Sequence, residues 1–373
     1  MAETHVVHVF ATYHPGGPQV RTAEVIRHLP ESYTHSILAM DRGYGCRERT
    51  PEDRVRRWLH LDELPPGRFL PSRLAKYVLA QEPDVVATYN WGAIETVFGL
   101  ARRGFRAIVH HEEGFGPAEF HKQKLRRVLA RRFVLPKAHA VVVPSKRLET
   151  IARTTWKLRD RKVRYIPNGI DLTRFEADPR GERRSAAKMH FGFPEDCVVI
   201  GSVGHLRPEK NFLRLAEAFV RLAPTRPELR LLLVGDGVER AAIEALLAEH
   251  GLTARSVLPG NLADPRVAYD ALDVFVISSN TEQMPISLLE AMAIGRAVAS
   301  TDVGDVAHMV AVSNRDGFVV APPGLSDAIS RLVDDAALRA RLAVDNQEHC
   351  ASEYPIELCA QRYAELYEEA RRA

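Results

Sequence analysis

The chain has 373 residues, of which 46% are hydrophobic and 27% are charged, and its formal net charge is +3. This length suffices for about two domains with separate cores, and the composition is that of a globular protein. No apolar run approaches the ~18 residues of a membrane span, and four scattered cysteines without a Cys-x-x-Cys pair argue against a zinc site or a disulfide framework.

Basic residues are concentrated in the first half of the chain. Residues 1–180 hold 31 Lys+Arg against 20 Asp+Glu, whereas the remaining residues hold 20 against 28. The first half is therefore expected to face something anionic. The first residues lack the basic start and apolar core of a secretion signal, and the cysteines fit buried free thiols, so we expect a cytoplasmic protein.

The chain opens on a strand that runs into a glycine turn. An apolar strand at residues 5–11 is followed by Gly16 and Gly17, and an amphipathic helix covers about residues 20–29. A strand, a glycine turn and a helix start together make an anion-binding cradle, because only glycine lets the backbone approach a ligand so closely. Sterics alone also explain two glycines in such a turn.

Strand and helix signals then alternate through the first half. This alternation predicts a parallel sheet with helices on both faces, in which ligands gather at the carboxyl ends of the strands. The further strands are expected at residues 36–40, 84–89, 107–110 and 140–143, with helices near 71–81, from Trp91, and in the basic segment 121–133.

Two histidines, His110 and His111, stand at one of these strand ends. Their position makes them candidates for contact with a ligand, with His110 as the first choice and His111 as the second. A structural role for a single histidine at a strand end is the alternative. Asn90 follows another strand, where capping of the next helix explains it adequately.

The basic segment 121–133 carries six Lys/Arg together with Leu125, Val128, Leu129 and Phe133 at helical spacing. One interpretation is a solvated helix whose apolar stripe packs on its own domain. The alternative is a peripheral contact with anionic lipid at the inner face of a membrane, to which each basic side chain contributes ~1 kcal/mol. Nucleic acid is disfavoured, because no aromatic platform or recognition motif accompanies the charge.

A polar segment at residues 173–194 is the expected interdomain linker. After it, a strand at residues 198–204 ends in Gly204, and Arg207 and Lys210 follow. Two cations at the carboxyl end of a strand favour a diphosphate ligand, each charge-assisted hydrogen bond contributing ~1.5–3 kcal/mol. A second strand at residues 231–234 turns at Gly235 into a helix.

Residues 279–295 form the most informative stretch, a loop and helix between two buried strands. Pro285 fits the first helical position, and Gly295 stands where a glycine would end the helix. The unpaired amides of a helix start favour an anionic ligand. Two carboxylates bracket these amides: Glu282 precedes the helix, and Glu290 lies about one and a half turns inside it.

Glu290 has apolar neighbours on both sides along the chain. A carboxylate in such surroundings costs several kcal/mol unless something donates hydrogen bonds to it, so a polyol such as ribose or a hexose is a plausible partner. Exposure of Glu290 to water at the helix edge is the alternative.

The spacing Glu-x7-Glu across a proline and a helix resembles the donor site of the retaining glycosyltransferases of family 4, which have the GT-B fold. The resemblance covers residues 201–348 and, more weakly, the N-terminal half. It implies that the second carboxylate, Glu290, holds the ribose and that the loop after the first carboxylate binds the donor sugar through backbone amides. The loop residues concerned are Glu282, Gln283, Met284, Pro285 and Ile286. Gln283 departs from the glycine usual in that family.

The same resemblance implies roles elsewhere. Gly16 and Gly17 would reach toward the donor diphosphate and the acceptor, His110 would lie near the primary hydroxyl of the sugar, and Gly235 would lie near the nucleotide base. Lys210 matches the diphosphate-binding lysine. The arginine that usually follows the glycine is His205 here, so either Arg207 replaces it or the site is weakened.

The sequence therefore predicts two doubly wound α/β domains that face each other across a cleft. We expect residues 1–175 to form the acceptor-side domain, residues 176–355 the nucleotide-sugar domain, and the helix in 356–373 to pack back on the first domain. The expected reaction transfers a hexose, with retention, from a nucleotide-diphosphate sugar to a sugar or lipid-linked acceptor in cell-surface polysaccharide or glycolipid synthesis. No cofactor or metal is expected, because the chain has no Asp-x-Asp motif. The alternatives are a sugar-nucleotide epimerase of the same architecture and a non-catalytic sugar-nucleotide binding protein.

Overall fold

The computed structural model describes residues 3–64, 69–115, 119, 123–176 and 181–373. It separates into two compact units, one made of Met1–Gly169 with Ile356–Ala373 and the other of Ile170–Pro355. Each unit is a parallel sheet flanked by helices, which confirms the fold class predicted from the alternation of strand and helix signals.

The described part of the first unit contains a sheet of seven strands in the order β3-β2-β1-β4-β5-β6-β7, all paired in parallel. The strands are β1 Thr4–Phe10, β2 Tyr33–Ala39, β3 Val55–Leu59, β4 Val85–Tyr89, β5 Ile108–His111, β6 Ala140–Val143 and β7 Val163–Tyr165. The helices of this unit are α1 Gly17–His28, α2 Leu70–Leu79, α3 Ile94–Arg102, α4 Leu125–Val134, α5 Lys146–Thr154 and α15 Ile356–Arg371.

Both faces of this sheet are buried, as a parallel sheet requires. Successive residues of β1 point to opposite faces, so Val6 joins one hydrophobic cluster and Val7 the other. The C-terminal helix α15 covers the face to which Val6 belongs, where Tyr363 and Tyr367 are buried and the Tyr33 hydroxyl donates to the carbonyl of Ala364 at 3.2 Å.

The described part of the second unit contains a sheet of six strands in the order β10-β9-β8-β11-β12-β13, also parallel. The strands are β8 Val198–Val203, β9 Leu229–Val234, β10 Ser256–Gly260, β11 Val274–Ile277, β12 Ala297–Thr301 and β13 Val319–Val320. The helices are α6 Glu182–His190, α7 Phe212–Leu222, α8 Arg240–Glu249, α9 Arg266–Ala271, α10 Ile286–Ala293, α11 Val306–Met309, α12 Val312–Arg315, α13 Leu325–Asp334 and α14 Ala336–Glu353.

The expected linker 173–194 is not one extended segment, because its residues 182–190 form helix α6. Its residues 177–180 lie outside the described residues, and α6 follows them. This helix packs against α9, with Ala187 buried and Lys188 paired with Asp273 at 3.0 Å. The sequence of α6 has little apolar pattern because one of its two buried residues is a lysine, whose charge is neutralised by a carboxylate from another element.

Two expectations in the first unit are also corrected. Trp91 opens a short 3₁₀ turn rather than an α-helix, and Asn90 makes no side-chain cap there; its Oδ1 accepts from the Glu113 amide at 2.8 Å. Helix α4 begins at Leu125, while residues 121 and 122 of the predicted basic helix lie outside the described residues. None of the helices in the described ranges is long and apolar enough to cross a membrane.

In each sheet the chain first adds strands on one side of its first strand and then adds the remaining strands on the other side. In the second unit this switch point lies between β8 and β11, which pair through Val274 with Ile200 and Phe275 with Gly201. The loops that follow β8 and β11 therefore leave the same edge of the sheet side by side. Ligands of doubly wound sheets bind at this position.

Candidate functional site: the switch point of the second unit

The central contact of the site joins the loops after β8 and β11. The Lys210 ammonium donates to both oxygens of the Glu282 carboxylate, at 2.7 and 2.9 Å. The lysine side chain is 30% exposed and the glutamate side chain only 9%. The pair is therefore open on the side of its cation, where an anionic ligand can reach it, and Lys210 keeps one N–H for that ligand.

Other polar groups fix both loops in place. The Ser279 hydroxyl donates to Glu282 Oε1 at 2.7 Å, so the carboxylate is held from two directions. Arg214 donates to the Ser278 carbonyl at 2.6 Å and to Asn280 Oδ1 at 2.7 Å. Since Arg214 is on α7, which follows Lys210, it ties the loop that carries the carboxylate to the helix that follows the cation.

The loop after β12 packs against the backbone of Glu282 and Gln283. Gly304 has φ +57°, and a Cβ placed there would lie 2.6 Å from the carbonyl oxygen of Glu282. The Asp305 amide donates to the Gln283 carbonyl at 2.9 Å. The sequence gives no sign of this contact, because it joins two loops that are distant along the chain and has no local spacing signal.

Helix α10 begins one residue later than expected. Pro285 is its N-cap, in extended conformation, and Ile286 is the first helical residue. Because proline has no polar side chain, it offers the first amides of the helix no side-chain acceptor, and the Leu288 amide donates to the Pro285 carbonyl at 3.2 Å. Met284 is buried beside this turn, and Gly295 ends the helix with φ +76°, as the sequence predicted.

Glu290 is partly buried rather than free at the edge of the helix. The hydroxyl of Tyr269, on α9, donates to Glu290 Oε2 at 2.5 Å. Tyr269 is itself fully buried, and burial together with the neighbouring Glu290 charge raises the pKa of its phenol well above the ordinary value. The tyrosine therefore remains a donor, and it orients the carboxylate.

Arg207 does not join the central contact. Its guanidinium is exposed, and its nearest acidic partner is Glu209 at 3.9 Å. His205 is also exposed, and burial of part of its ring, with Arg207 and Lys210 nearby, lowers its pKa. In this structure Lys210 supplies the cation at the carboxylate, and Arg207 and His205 lie around it.

Gly204 and Gly235 have a packing role that involves each other. A Cβ on Gly235, which has φ +128°, would lie 1.9 Å from the carbonyl oxygen of Gly204. The Gly204 amide in turn donates to Val234 at 2.9 Å. The turns after β8 and β9 thus pack backbone to backbone, which accounts for Gly235 sterically.

Gly16 and Gly17 form the start of α1 in the first unit. Neither has a positive φ, and a Cβ added to Gly17 would meet nothing within 4 Å. At Gly16 the atom nearest to an added Cβ is Oε1 of Gln19, at 2.9 Å. The fold of this unit therefore does not demand glycine at position 17.

His110 and His111 are both completely buried. His110 Nδ1 lies 2.8 Å from the Thr88 hydroxyl, and its Nε2 lies 3.6 Å from Glu112. His111 stacks on Tyr89 with 4.4 Å between ring centroids, and burial lowers its pKa well below the ordinary value. In this structure neither ring has a surface on which a substrate could dock, so this geometry favours the structural role.

The carboxylates that follow β5 hold buried arginines. Glu112 pairs with Arg131 of α4 at 2.6 Å, and Glu113 pairs with Arg21 of α1. Arg21 also donates to Asn168 at 3.2 Å, immediately before the end of the first unit at Gly169. The sequence does not indicate these pairs, because each joins positions far apart along the chain.

Two family models match the chain over almost its whole length. The model described as Glycosyltransferase Family 4 matches residues 15–174, and the model described as Glycosyl transferases group 1 matches residues 184–349. The second match contains Lys210, Glu282 and Glu290, and the first contains the Gly16–Gly17 turn.

Curated relatives are similar over part of their length. A 2-deoxystreptamine glucosyltransferase of Streptomyces kanamyceticus is 32% identical over 55% of this chain and 54% of its own. A lipopolysaccharide core biosynthesis glycosyltransferase, LpsE, of Rhizobium meliloti is 31% identical over 58% of this chain and 60% of its own. The match therefore spans about half to three fifths of these relatives.

Solved structures share the fold over nearly the entire chain. Anabaena HepE in complex with UDP superposes with a TM-score of 0.81 at 19% identity, covering 98% of this chain and 100% of that one. With both units, their strand orders and both family models in agreement, the chain belongs to the group 1 glycosyltransferases of family 4 and has the GT-B fold.

Proposed function

We propose that the protein is a retaining glycosyltransferase that takes a hexose from a nucleotide-diphosphate sugar. The observation that carries this proposal is the convergence at the switch point of the second unit. There the Lys210 ammonium, the Glu282 carboxylate and the start of α10 lie on adjoining loops, and the tyrosine-oriented Glu290 follows one turn into the helix.

One part of this site would bind the diphosphate of a nucleotide sugar, and another part would bind its ribose. Lys210 and the first amides of α10 would bind the diphosphate, because a cation and a helix N-terminus both stabilise negative charge. Glu290, with one oxygen held by Tyr269, would accept hydrogen bonds from the ribose hydroxyls. Glu282 would accept from the sugar, and the backbone of Gln283 and Met284 would donate to it.

The rate enhancement would be electrostatic. Bond cleavage leaves negative charge on the departing diphosphate, and groups already aimed at that charge lower the barrier without reorganising. Removing one such donor costs ~10²–10³ in rate in comparable oxyanion sites. We also propose that the reaction needs no metal, since Lys210 would supply the positive charge that a divalent ion provides in other transferases.

Retention is proposed from the family resemblance. The acceptor would attack on the face from which the diphosphate leaves, and the leaving phosphate would take the proton of the acceptor hydroxyl. The C–O bond to the phosphate breaks, and a C–O bond to the acceptor forms with the same anomeric configuration. None of the candidate residues in the second unit is assigned as a covalent nucleophile.

Related proteins support the substrate classes. HepE has been crystallised with UDP, with UDP and glucose, and with UDP-glucose. Among curated relatives, one is described as a glucosyltransferase and one as acting in lipopolysaccharide core biosynthesis. We therefore propose a sugar or lipid-linked acceptor in cell-surface glycan synthesis. We also propose a cytoplasmic location, supported by four buried cysteines that are all free.

A panel of UDP-, GDP- and ADP-sugars, each incubated with the protein with and without a membrane extract, tests the proposal. A transferase releases nucleotide in proportion to acceptor and extends the acceptor by one sugar. Conversion of the donor to an epimeric sugar without any acceptor would identify an epimerase instead. Donor binding without turnover under every condition would identify a binding protein.

A further inference from the structure

Helix α4 of the first unit turns two of its four arginines inward and three large apolar side chains outward. Its Arg131 is buried, bonded to Glu112 at 2.6 Å and enclosed by the rings of Trp91 and Trp156. Arg127 likewise turns inward to Glu119 at 2.8 Å. An amphipathic surface helix normally turns such groups outward and buries its apolar stripe.

The apolar stripe of α4 is instead exposed to solvent. Leu125, Leu129 and Phe133 follow one another at helical spacing and are 72%, 52% and 62% exposed. Val128 is the buried member of the set noted in the sequence. The interpretation in which this stripe packs on its own domain therefore holds for Val128 alone, because the buried arginine pairs turn Leu125, Leu129 and Phe133 outward.

The exposed stripe continues onto two neighbouring elements. The ring centroids of Phe133 and of Phe98 on α3 lie 6.1 Å apart, and those of Phe98 and Phe69 lie 6.4 Å apart. Phe69, at the start of α2, is 50% exposed. We call Phe69, Phe98, Leu125, Leu129 and Phe133 the α4 surface. It includes half of the eight large hydrophobic side chains that are exposed among the residues the structure describes. Contiguous apolar patches of this kind mark interaction sites.

The rim of the α4 surface is cationic. Lys137 lies 4.5 Å above the Phe133 ring and Arg102 lies 5.8 Å from the Phe98 ring, while Arg126 and Arg132 are exposed on α4 itself. The sequence has no Asp or Glu in the three segments that carry this surface. Those segments are residues 69–76, 98–106 and 123–137.

We propose that the α4 surface docks on an anionic lipid bilayer. Apolar side chains would enter the boundary between headgroups and acyl chains, and the cationic rim would pair with lipid phosphates. A second copy of this chain fits poorly, since it would bring two cationic rims together. The proposal concerns the first unit alone and does not depend on the donor site of the second unit.

Vesicle co-sedimentation of the full chain tests this proposal. We expect binding to vesicles that contain phosphatidylglycerol, weak binding to pure phosphatidylcholine, and loss of binding at high salt. A variant with Leu129→Ser and Phe133→Ser should bind at least about tenfold more weakly. A variant with Arg126→Glu and Arg132→Glu should lose anionic selectivity, since each lost cation is worth about fivefold before charge reversal.

The matched control replaces exposed apolar residues of the second unit, Val238→Ser with Val312→Ser, and should bind vesicles as wild type. All variants change exposed side chains, so unchanged thermal midpoints will verify that they fold. Equal vesicle binding by wild type and the Leu129/Phe133 variant would overturn the proposal. So would the absence of vesicle binding, or a dimer in solution that the same variant dissociates.

Discussion

The Tyr269 hydroxyl lies 2.5 Å from Glu290 Oε2, which joins a fully buried ring on α9 to a partly exposed carboxylate on α10. The tyrosine packs between Phe175 and Phe275, with ring centroids at 6.3 and 5.8 Å, so its hydroxyl has little freedom to move. Because the side chain of Glu290 is already held, it would lose little conformational entropy on accepting hydrogen bonds from ribose hydroxyls.

Removing the Glu290 carboxylate should abolish most donor binding. We expect Glu290→Ala to weaken the binding of the preferred nucleotide sugar by about 10–100-fold, because hydrogen bonds to a charged group contribute about 1.5–3 kcal/mol. Tyr269→Phe should have a smaller effect, about tenfold, since the carboxylate remains but is no longer oriented. Isothermal titration measures both, and Glu244→Ala, on α8, is the control. Undiminished affinity in Glu290→Ala would remove Glu290 from the site.

The contact between Gly304 and the Glu282 carbonyl should be sensitive to a single methyl group. Gly304→Ala places a Cβ 2.6 Å from that oxygen at a positive φ, so we expect displacement of the Glu282–Gln283 backbone, a raised donor KM and a loss of about 1–3 kcal/mol in the free energy of unfolding. Gly251→Ala is the matched control, because Gly251 has φ +68° with nothing within 4 Å of its Cβ.

The Gly251→Ala control separates the effect of the contact from the effect of the backbone strain. It should lose about 1–2 kcal/mol of stability through its positive φ and leave donor KM unchanged. Chemical denaturation and steady-state kinetics give the two quantities. If both variants raised KM equally, the loop after β12 would have no specific part in holding the Glu282–Gln283 backbone.

His205 should make donor use depend on pH. Burial, with Arg207 and Lys210 nearby, lowers the pKa of this imidazole, so it is neutral at pH 7 in the free protein. Protonation adds a cation beside the diphosphate, and therefore kcat/KM for the donor should rise as pH falls toward that lowered pKa. His205→Arg should remove this slope and raise kcat/KM at pH 7–8. The same slope in wild type and variant would show that His205 does not face the diphosphate.

The folded protein should lose stability in mild acid because two buried histidines must stay neutral. His8 Nε2 lies 3.0 Å from His35 Nδ1, and burial lowers the pKa of His8 to about 3 and that of His35 well below its ordinary value. In the unfolded chain both take up a proton near pH 6.5, so their contribution is full above that pH and decreases below it.

The expected loss is about 1.4 kcal/mol per histidine at pH 5.5 relative to neutral pH. Urea denaturation at several pH values measures it. A variant with His8→Gln and His35→Gln should be less stable at pH 7.5 but should show a shallower decrease between pH 7 and 5.5. Parallel pH profiles for wild type and variant would exclude this pair as the origin of the acid sensitivity.

The fold and the central motif could be predicted because their signals are local. Apolar runs that alternate with amphipathic stretches specify parallel strands and covering helices, and the Glu-x7-Glu spacing with Gly295 specifies a loop, a helix and its end. These features depend on residues that are neighbours along the chain, so the sequence displays them directly.

The remaining features depend on contacts between distant residues. Tyr269 is 21 positions from Glu290, and neither residue indicates the other by spacing. The apolar stripe of α4 was visible, but its exposure follows from the pairing of Arg131 with Glu112, on another element. In the same way, the polar composition of α6 concealed a helix whose buried lysine is paired with Asp273.

We propose above all that Lys210 binds the diphosphate of a nucleotide sugar without help from a metal ion. Titration of UDP, GDP and ADP into wild type, Lys210→Ala and the exposed control Arg207→Ala, all in buffer containing EDTA, tests it most directly. At least one nucleotide should bind wild type and Arg207→Ala with affinities within a few-fold, and should bind Lys210→Ala about 10–100-fold more weakly. Binding that requires added magnesium, or equal binding by Lys210→Ala and wild type, would contradict the claim.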